Sequence, residues 1–163
     1  MTGQIFRGTI FIMKKENYYI KRNIQDIDKI NELIECLPPF CEDYFMGIEA
    51  RTSCQTRLKY AYDLRIFFDF LCKKRYKKKD PLDLTLEDLE GVTNNDIEFF
   101  LSYLSHYRFN EKNLTCDERA KARKLSAVRA MFKYFFNKGL IDVDNSAKAV
   151  SYTHLTLPTT ERV

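Results

Sequence analysis

Between Arg119 and Lys138 the chain reads RAKARKLSAVRAMFKYFFNK, twenty residues with seven Lys or Arg and no Asp or Glu. Ammonium and guanidinium groups at this density offer charge-assisted hydrogen bonds to a polyanion, phosphate above all. Leu125, Val128, Phe132, Phe135 and Phe136 recur at helical spacing and predict the face turned towards a core. Arg119, Arg123, Ser126, Ala130 and Lys133 fall on the opposite side. Small residues among those cations let a helix backbone approach a DNA groove, where phosphates are met by Arg, Lys, Ser and main-chain groups. A solvated helix face carries the same pattern, and most charged faces bind nothing.

Other chemistry finds little support. The five cysteines, Cys36, Cys41, Cys54, Cys72 and Cys116, form no CxxC pair, and the histidines are only His106 and His154. Zinc, iron–sulfur and disulfide frameworks are therefore poorly supported, and no metal or other cofactor is expected. Cys54 and Cys72 lie in helical patterns and read as reduced packing residues. The ten tyrosines look structural, because activating a phenol needs a cationic cluster beside it.

At 163 residues, 45% apolar and 14% aromatic, the chain can bury one real core. Its net charge is only +4, but the charge is segregated: Lys73–Lys79 (KKRYKKK) is basic around one tyrosine, and Asp80–His106 is acidic without a base. A molecule with a positive and a negative side orients on a polyanion. The apolar stretch in MTGQIFRGTIFIMKK is too short for a signal peptide or a bilayer span. A reducing cytoplasm, no membrane partner and no small-molecule substrate are the expectations.

Residues 1–12 show neither helical nor strand periodicity, and Met13 makes a more ordinary start. Ile24, Ile27, Ile30, Leu33, Ile34 and Leu37 predict an amphipathic helix stopped by Pro38 and Pro39. A short helix from Pro39 to about Met46 follows. Thr52 or Ser53 then caps a long helix to Leu71, with Tyr60, Leu64, Phe67, Phe68 and Leu71 inward. Lys73–Pro81 reads as a loop, with one helical turn after Thr85. Thr93 and Asp96 form a capping-box variant opening a helix that buries Ile97, Phe100, Leu101 and Leu104. A polar loop, Arg108–Leu114, leads to Thr115 and Glu118, read as a capping box for the basic helix, which stops at Gly139. With no alternating strand pattern the fold class is all-α: a compact bundle of four principal helices with an extra N-terminal helix.

The two long helices also carry a resemblance. SCQTRLKYAYDLRIFFDFL, Ser53–Leu71, resembles the S-x-x-T-x-x-x-Y-x-x-D-L-x-x-F-x-x-F-L pattern opening the core-binding, SAM-like domain of tyrosine recombinases and phage integrases. RKLSAVRAMFKYFFNKGLI, Arg123–Ile141, is similar to the closing R-K-L-S-x-L-R-x-F-Y-x-Y-L stretch of that domain in the Xer and integrase branch. LEDLEGVTNNDI, Leu86–Ile97, resembles its linker into the third helix. The resemblance covers roughly Pro38–Lys148.

It implies one half of a C-shaped clamp around duplex DNA, with the second and last long helices towards the duplex and a parent protein that assembles as a dimer or tetramer on DNA. The DNA contacts so implied are Arg51, Ser53, Gln55, Thr56 and Lys59 at the start of one helix. On the other they are Arg119, Lys121, Arg123, Lys124, Ser126 and Arg129. Structural roles compete: Ser53 as a cap, Thr56 as a packing residue, Arg129 as a snorkelling side chain. Arg123 and Lys124 are expected to be replaceable without harm to the fold.

Members of that family cut DNA with a tyrosine assisted by arginines, a lysine and histidines, including H-x-x-R, in a domain after this one. His106 is followed by Tyr107 and Arg108, which does not match. No catalytic residue is assigned, and the chain reads as truncated before that domain. Asn145-Ser146-Ala147 stands where the family has Asn-Pro-Ala, which predicts a less rigid exit from the last helix. VSYTHLTLPT, from Val150, looks like a translated sequencing adapter, so the tail to Val163 is set aside and His154 is given no role. The division expected is residues 1–37 as an N-terminal extension, 38–149 as the DNA-binding helical domain and 150–163 as non-native. The competing function is a stand-alone helical module for RNA or protein partners.

Overall fold

A computed structural model describes residues 3–77 and 80–149 of the chain. Its first element, α1, is one helix over Gly3–Ile34. Residues 3–12, without periodicity in sequence, are thus helical, since no proline interrupts the chain before Pro38. The last turns of α1 enter the core: Ile30 and Leu33 are buried, whereas Ile24 is 54% exposed and Ile27 also faces solvent. The predicted apolar face therefore packs over half its length, against α3.

After the two prolines, α2 spans Phe40–Gly47. The long helix α3 covers Cys54–Phe70, and its N-cap is Ser53, whose Oγ accepts the Thr56 N–H at 3.2 Å. Leu64, Phe67, Phe68 and Leu71 are buried, and Tyr60 is half-buried. Helix α3 does not yield to a loop at Lys73. It widens into a π-helical turn over Leu71–Arg75, closed by the Tyr76 N–H to the Leu71 carbonyl at 2.8 Å. That turn places Lys73 against Asp69 at 2.6 Å and the Arg75 guanidinium on the Gly91 carbonyl at 3.0 Å.

Short α4, Leu86–Glu90, and α5, Asn94–Tyr103, each start from a capping box, Thr85 with Asp88 and Thr93 with Asp96. Reciprocal bonds there satisfy N–H groups that have no partner within the helix. Ile97, Phe100, Leu101 and Leu104 are buried as the spacing predicts. The predicted loop from Arg108 instead holds a small antiparallel hairpin, β1 (Tyr107–Phe109) with β2 (Lys112–Leu114). Its turn residues Asn110 and Glu111 both have positive φ, the backbone hand that two-residue hairpin loops require. Three-residue strands are too short to show an alternation, so the pairing left no periodic signal.

The basic helix is α6, Glu118–Asn137, and its N-cap is Asp117, not Thr115: the Asp117 carboxylate accepts the Ala120 N–H at 2.7 Å. At its far end Gly139 has φ +68°, and the N–H groups of Gly139 and Leu140 return to the carbonyls of Phe136 and Phe135, a Schellman stop. Leu125, Val128, Met131, Phe132 and Phe135 are buried, while Phe136, expected inside, is 46% exposed. Aromatic edges join the layers: Phe67 of α3 meets Phe100 of α5 at 5.1 Å and Phe132 of α6 at 6.4 Å, and Phe40 of α2 meets Phe135 at 5.5 Å. The body is mostly helical around this one core. No helix among the described residues is long and apolar enough to cross a membrane.

Candidate nucleic-acid interface

The α3–α6 seam sorts the cations of the basic helix. Asp63 on α3 is 1% exposed, and its Oδ1 accepts from Lys124 Nζ at 2.8 Å and from Arg123 Nη2 at 2.9 Å. Lys124 is itself buried, whereas the Arg123 side chain stays 50% exposed. Lys121 is buried too, with its ammonium on Ser105 Oγ at 2.8 Å and on Glu118 at 3.1 Å. Burying such charges requires partners of this kind. Replacing Arg123 and Lys124 together therefore strips a buried carboxylate of both its donors, and the expectation that the pair is dispensable for the fold does not survive this geometry.

Arg129 also turns inward along the chain. Its Nε donates to the Ser146 carbonyl at 3.1 Å and its Nη2 to the Ala149 carbonyl. The segment it holds, Asn145–Lys148, is a 3₁₀ turn capped by Asp144, which accepts the Ser146 N–H at 3.0 Å and the Ser146 hydroxyl at 2.5 Å. Asn145 adds a bond to the Val92 carbonyl at 2.9 Å. Hydrogen bonds here stand in for the constraint a proline at position 146 would impose, so the predicted loosening of this exit is offset.

Arg51, Gln55, Lys59, Arg119 and Ser126 lie exposed, with Ser53 exposed as the cap and Thr56 half-buried beside it. The Ser126 hydroxyl donates back to the Ala122 carbonyl at 3.0 Å, leaving its lone pairs outward. Arg51, Lys59, Arg119 and Lys133 have no acidic partner among the described residues. Arg119, Arg123, Ser126, Ala130, Lys133 and Asn137 follow one another at steps of four and three along α6, and none is buried. Such a row tracks one face of a helix, and from Arg119 to Asn137 it covers roughly 27 Å.

The chain is 30% identical over 131 residues to the tyrosine recombinase XerC of Caldanaerobacter subterraneus subsp. tengcongensis, a match covering 74% of this chain and 35% of that protein. The chain is a homologue of the Xer tyrosine recombinases. The tyrosine recombinase XerS of Streptococcus mutans is 30% identical over 113 residues, 66% of this chain and 32% of the relative. XerC of Syntrophus aciditrophicus is 34% identical over 109 residues, 67% of this chain and 32% of the relative. The chain thus spans about a third of the length of these Xer relatives. No family model matches it, and no solved structure matches it.

Within this Xer homologue, Asp63 is the aspartate of the first resembling stretch, and Arg123 and Lys124 open the second. The two stretches meet as a buried ion pair that fixes α6 across α3. Sequence reasoning weighted Lys121, Lys124 and Arg129 equally with the exposed cations because charge alone does not tell which side of a helix edge a long side chain takes. Lys133, which the helical spacing places on the outward face, is exposed there, and Asn137 continues the same spacing.

Proposed function

We propose that this chain is the DNA-binding, N-terminal portion of a site-specific tyrosine recombinase or integrase. It clamps duplex DNA at the recombination site through the exposed row on α6 and the start of α3, with strand cleavage and joining carried by protein beyond these residues. The observation that supports this most is the row itself: Arg119, Lys133 and the half-exposed Arg123 stay at the surface, while the buried cations Lys121 and Lys124 are tied to internal partners. Such a surface neutralises phosphates without reading bases, so binding is salt-sensitive and only slightly sequence-specific.

Titration of a fluorescent duplex of arbitrary sequence at several salt concentrations tests this. Four to six phosphate contacts give a slope of log affinity against log salt of roughly −4 to −5. A slope near zero, or no binding at low salt, would remove the reading. In the same samples supercoiled plasmid stays unrelaxed and no covalent protein–DNA adduct forms. A tyrosine-linked adduct would put the chemistry inside this chain.

A further inference from the structure

We propose that the cleft between the end of α2 and the C-terminal half of α6 is a seat for a phosphate group, filled by the sugar–phosphate backbone of duplex DNA. This rests on the DNA-binding reading and extends it to a second end of the interface. The cleft, about 550 Å³, is lined by Arg51, Lys133, Asn137 and Lys138 as donors, with Gly47, Ile48, Ala130 and Tyr134 as its floor and wall.

Three features distinguish it from the other hollows of the surface. The first is sign: no carboxylate lines it, whereas the other clefts described carry Asp96, Glu42 with Glu49, or Glu35 with Glu42. The second is that its cations are unspent by the fold. Arg51 and Lys133 have no acidic partner among the described residues, and Lys138 lies over the Tyr134 ring at 5.7 Å, where its ammonium remains open to solvent. The third is a fixed shape. Tyr134 donates its hydroxyl to the Asp43 carbonyl at 3.0 Å, and its ring occupies the space a side chain at Gly47 would need, since a Cβ there falls 2.2 Å from the Tyr134 oxygen. A glycine at this place lets the tyrosine stand as a wall.

Cations on two elements around a small apolar floor match a phosphodiester, whose charged oxygens take the donors while the deoxyribose lies against Ala130 and Ile48. The C-terminal, negative ends of α2 and α6 lie at this cleft and oppose an anion, but each is equivalent to only about half a charge, against three full cations. An acidic peptide could meet the same donors in one cleft. Duplex DNA is favoured because the cleft continues the α6 row through Lys133 and Asn137, so one polyanion can occupy both.

The test uses the full chain and K133A/K138A, both surface positions, with 20-base-pair duplex DNA, inorganic phosphate and poly-glutamate as probes. Amide NMR signals of Gly47, Ile48 and Asn137 should shift with duplex and with inorganic phosphate. In K133A/K138A those shifts should vanish and the salt slope on duplex should become shallower by about one to two. An unchanged slope in a variant whose parent binds duplex overturns the cleft, and the Lys133 end of the row with it, and confines DNA binding to the Arg119–Arg123 end and the start of α3. Shifts with inorganic phosphate but none with duplex keep the phosphate chemistry and overturn the DNA reading. Shifts with poly-glutamate alone overturn both.

Discussion

Asp63 of α3 and Lys124 of α6 face each other at 2.8 Å with both side chains buried, sixty-one residues apart in sequence. The pair fixes how α6 crosses α3, and so where the exposed row lies relative to Arg51 and Lys59. Asp63 Oδ2 has no hydrogen-bond partner among the described residues, so the carboxylate depends on the two cations on its other oxygen.

Asp63→Ala leaves Lys124 charged and unpaired inside the protein, a change that costs about 3–5 kcal/mol in other buried pairs. Urea unfolding should show that loss. Arg123→Ala keeps Lys124 on Asp63 and removes a half-exposed partner, so it should cost under about 1 kcal/mol. Equal losses in the two variants would mean that Lys124 is not the principal partner.

Thiol reactivity should follow burial. Cys36 is exposed, whereas Cys41 and Cys72 are buried. Burial, reinforced by Asp80, Asp69, Asp83 and Asp88, pushes the Cys72 thiol up to about 11. A raised thiol pKa lowers the thiolate fraction, and the thiolate is the reactive form. At pH 8 iodoacetamide should label Cys36 first and Cys72 and Cys41 last, with Cys72 gaining reactivity only as the pH rises towards 11. Early modification of Cys72 in mass spectra of the folded protein would contradict this.

Gly139 ends α6 with φ +68° and nothing within 4 Å of where a Cβ would stand. Space is available, so the cost of a side chain is backbone strain alone, about 1–2 kcal/mol for Ala. Asn, which enters the left-handed region more readily, should lose less. A neutral Gly139→Ala would show that the Schellman stop contributes little.

Much of this architecture was legible because its signals are local. Thr85 with Asp88, Thr93 with Asp96, Ser53 and Gly139 act within a turn of themselves. The inward faces of α3 and α5 followed from period alone. What escaped depended on distant partners. Phe136 has the spacing of a core residue, yet no element among the described residues covers it, and Met131 takes its place inside. Asp63 decides the fate of Lys124, and Ser105, just after α5, draws Lys121 inward. Neither could be read from charge and periodicity along one helix.

Phe132 and Phe136 turn that difference into a measurement. Phe132 is fully buried against Phe67, so Phe132→Ala should cost about 3–5 kcal/mol. Phe136 is half open, and its replacement should cost under about 1 kcal/mol. Comparable losses would restore Phe136 to the core.

Burial should also separate the cations that bind from those that brace. Lys59 and Arg119 are exposed and without acidic partners among the described residues. The variant K59A/R119A should therefore hold its denaturation midpoint while its salt slope on duplex DNA becomes shallower by about two. Lys121→Ala removes an ammonium held between Ser105 and Glu118, so it should lose on the order of 1 kcal/mol of stability and keep the slope of the parent. Stability and salt slope separate in this way only if exposure decides which cation meets phosphate. A slope that falls as far in Lys121→Ala as in K59A/R119A would mean that the helix rearranges on DNA and frees its buried charge.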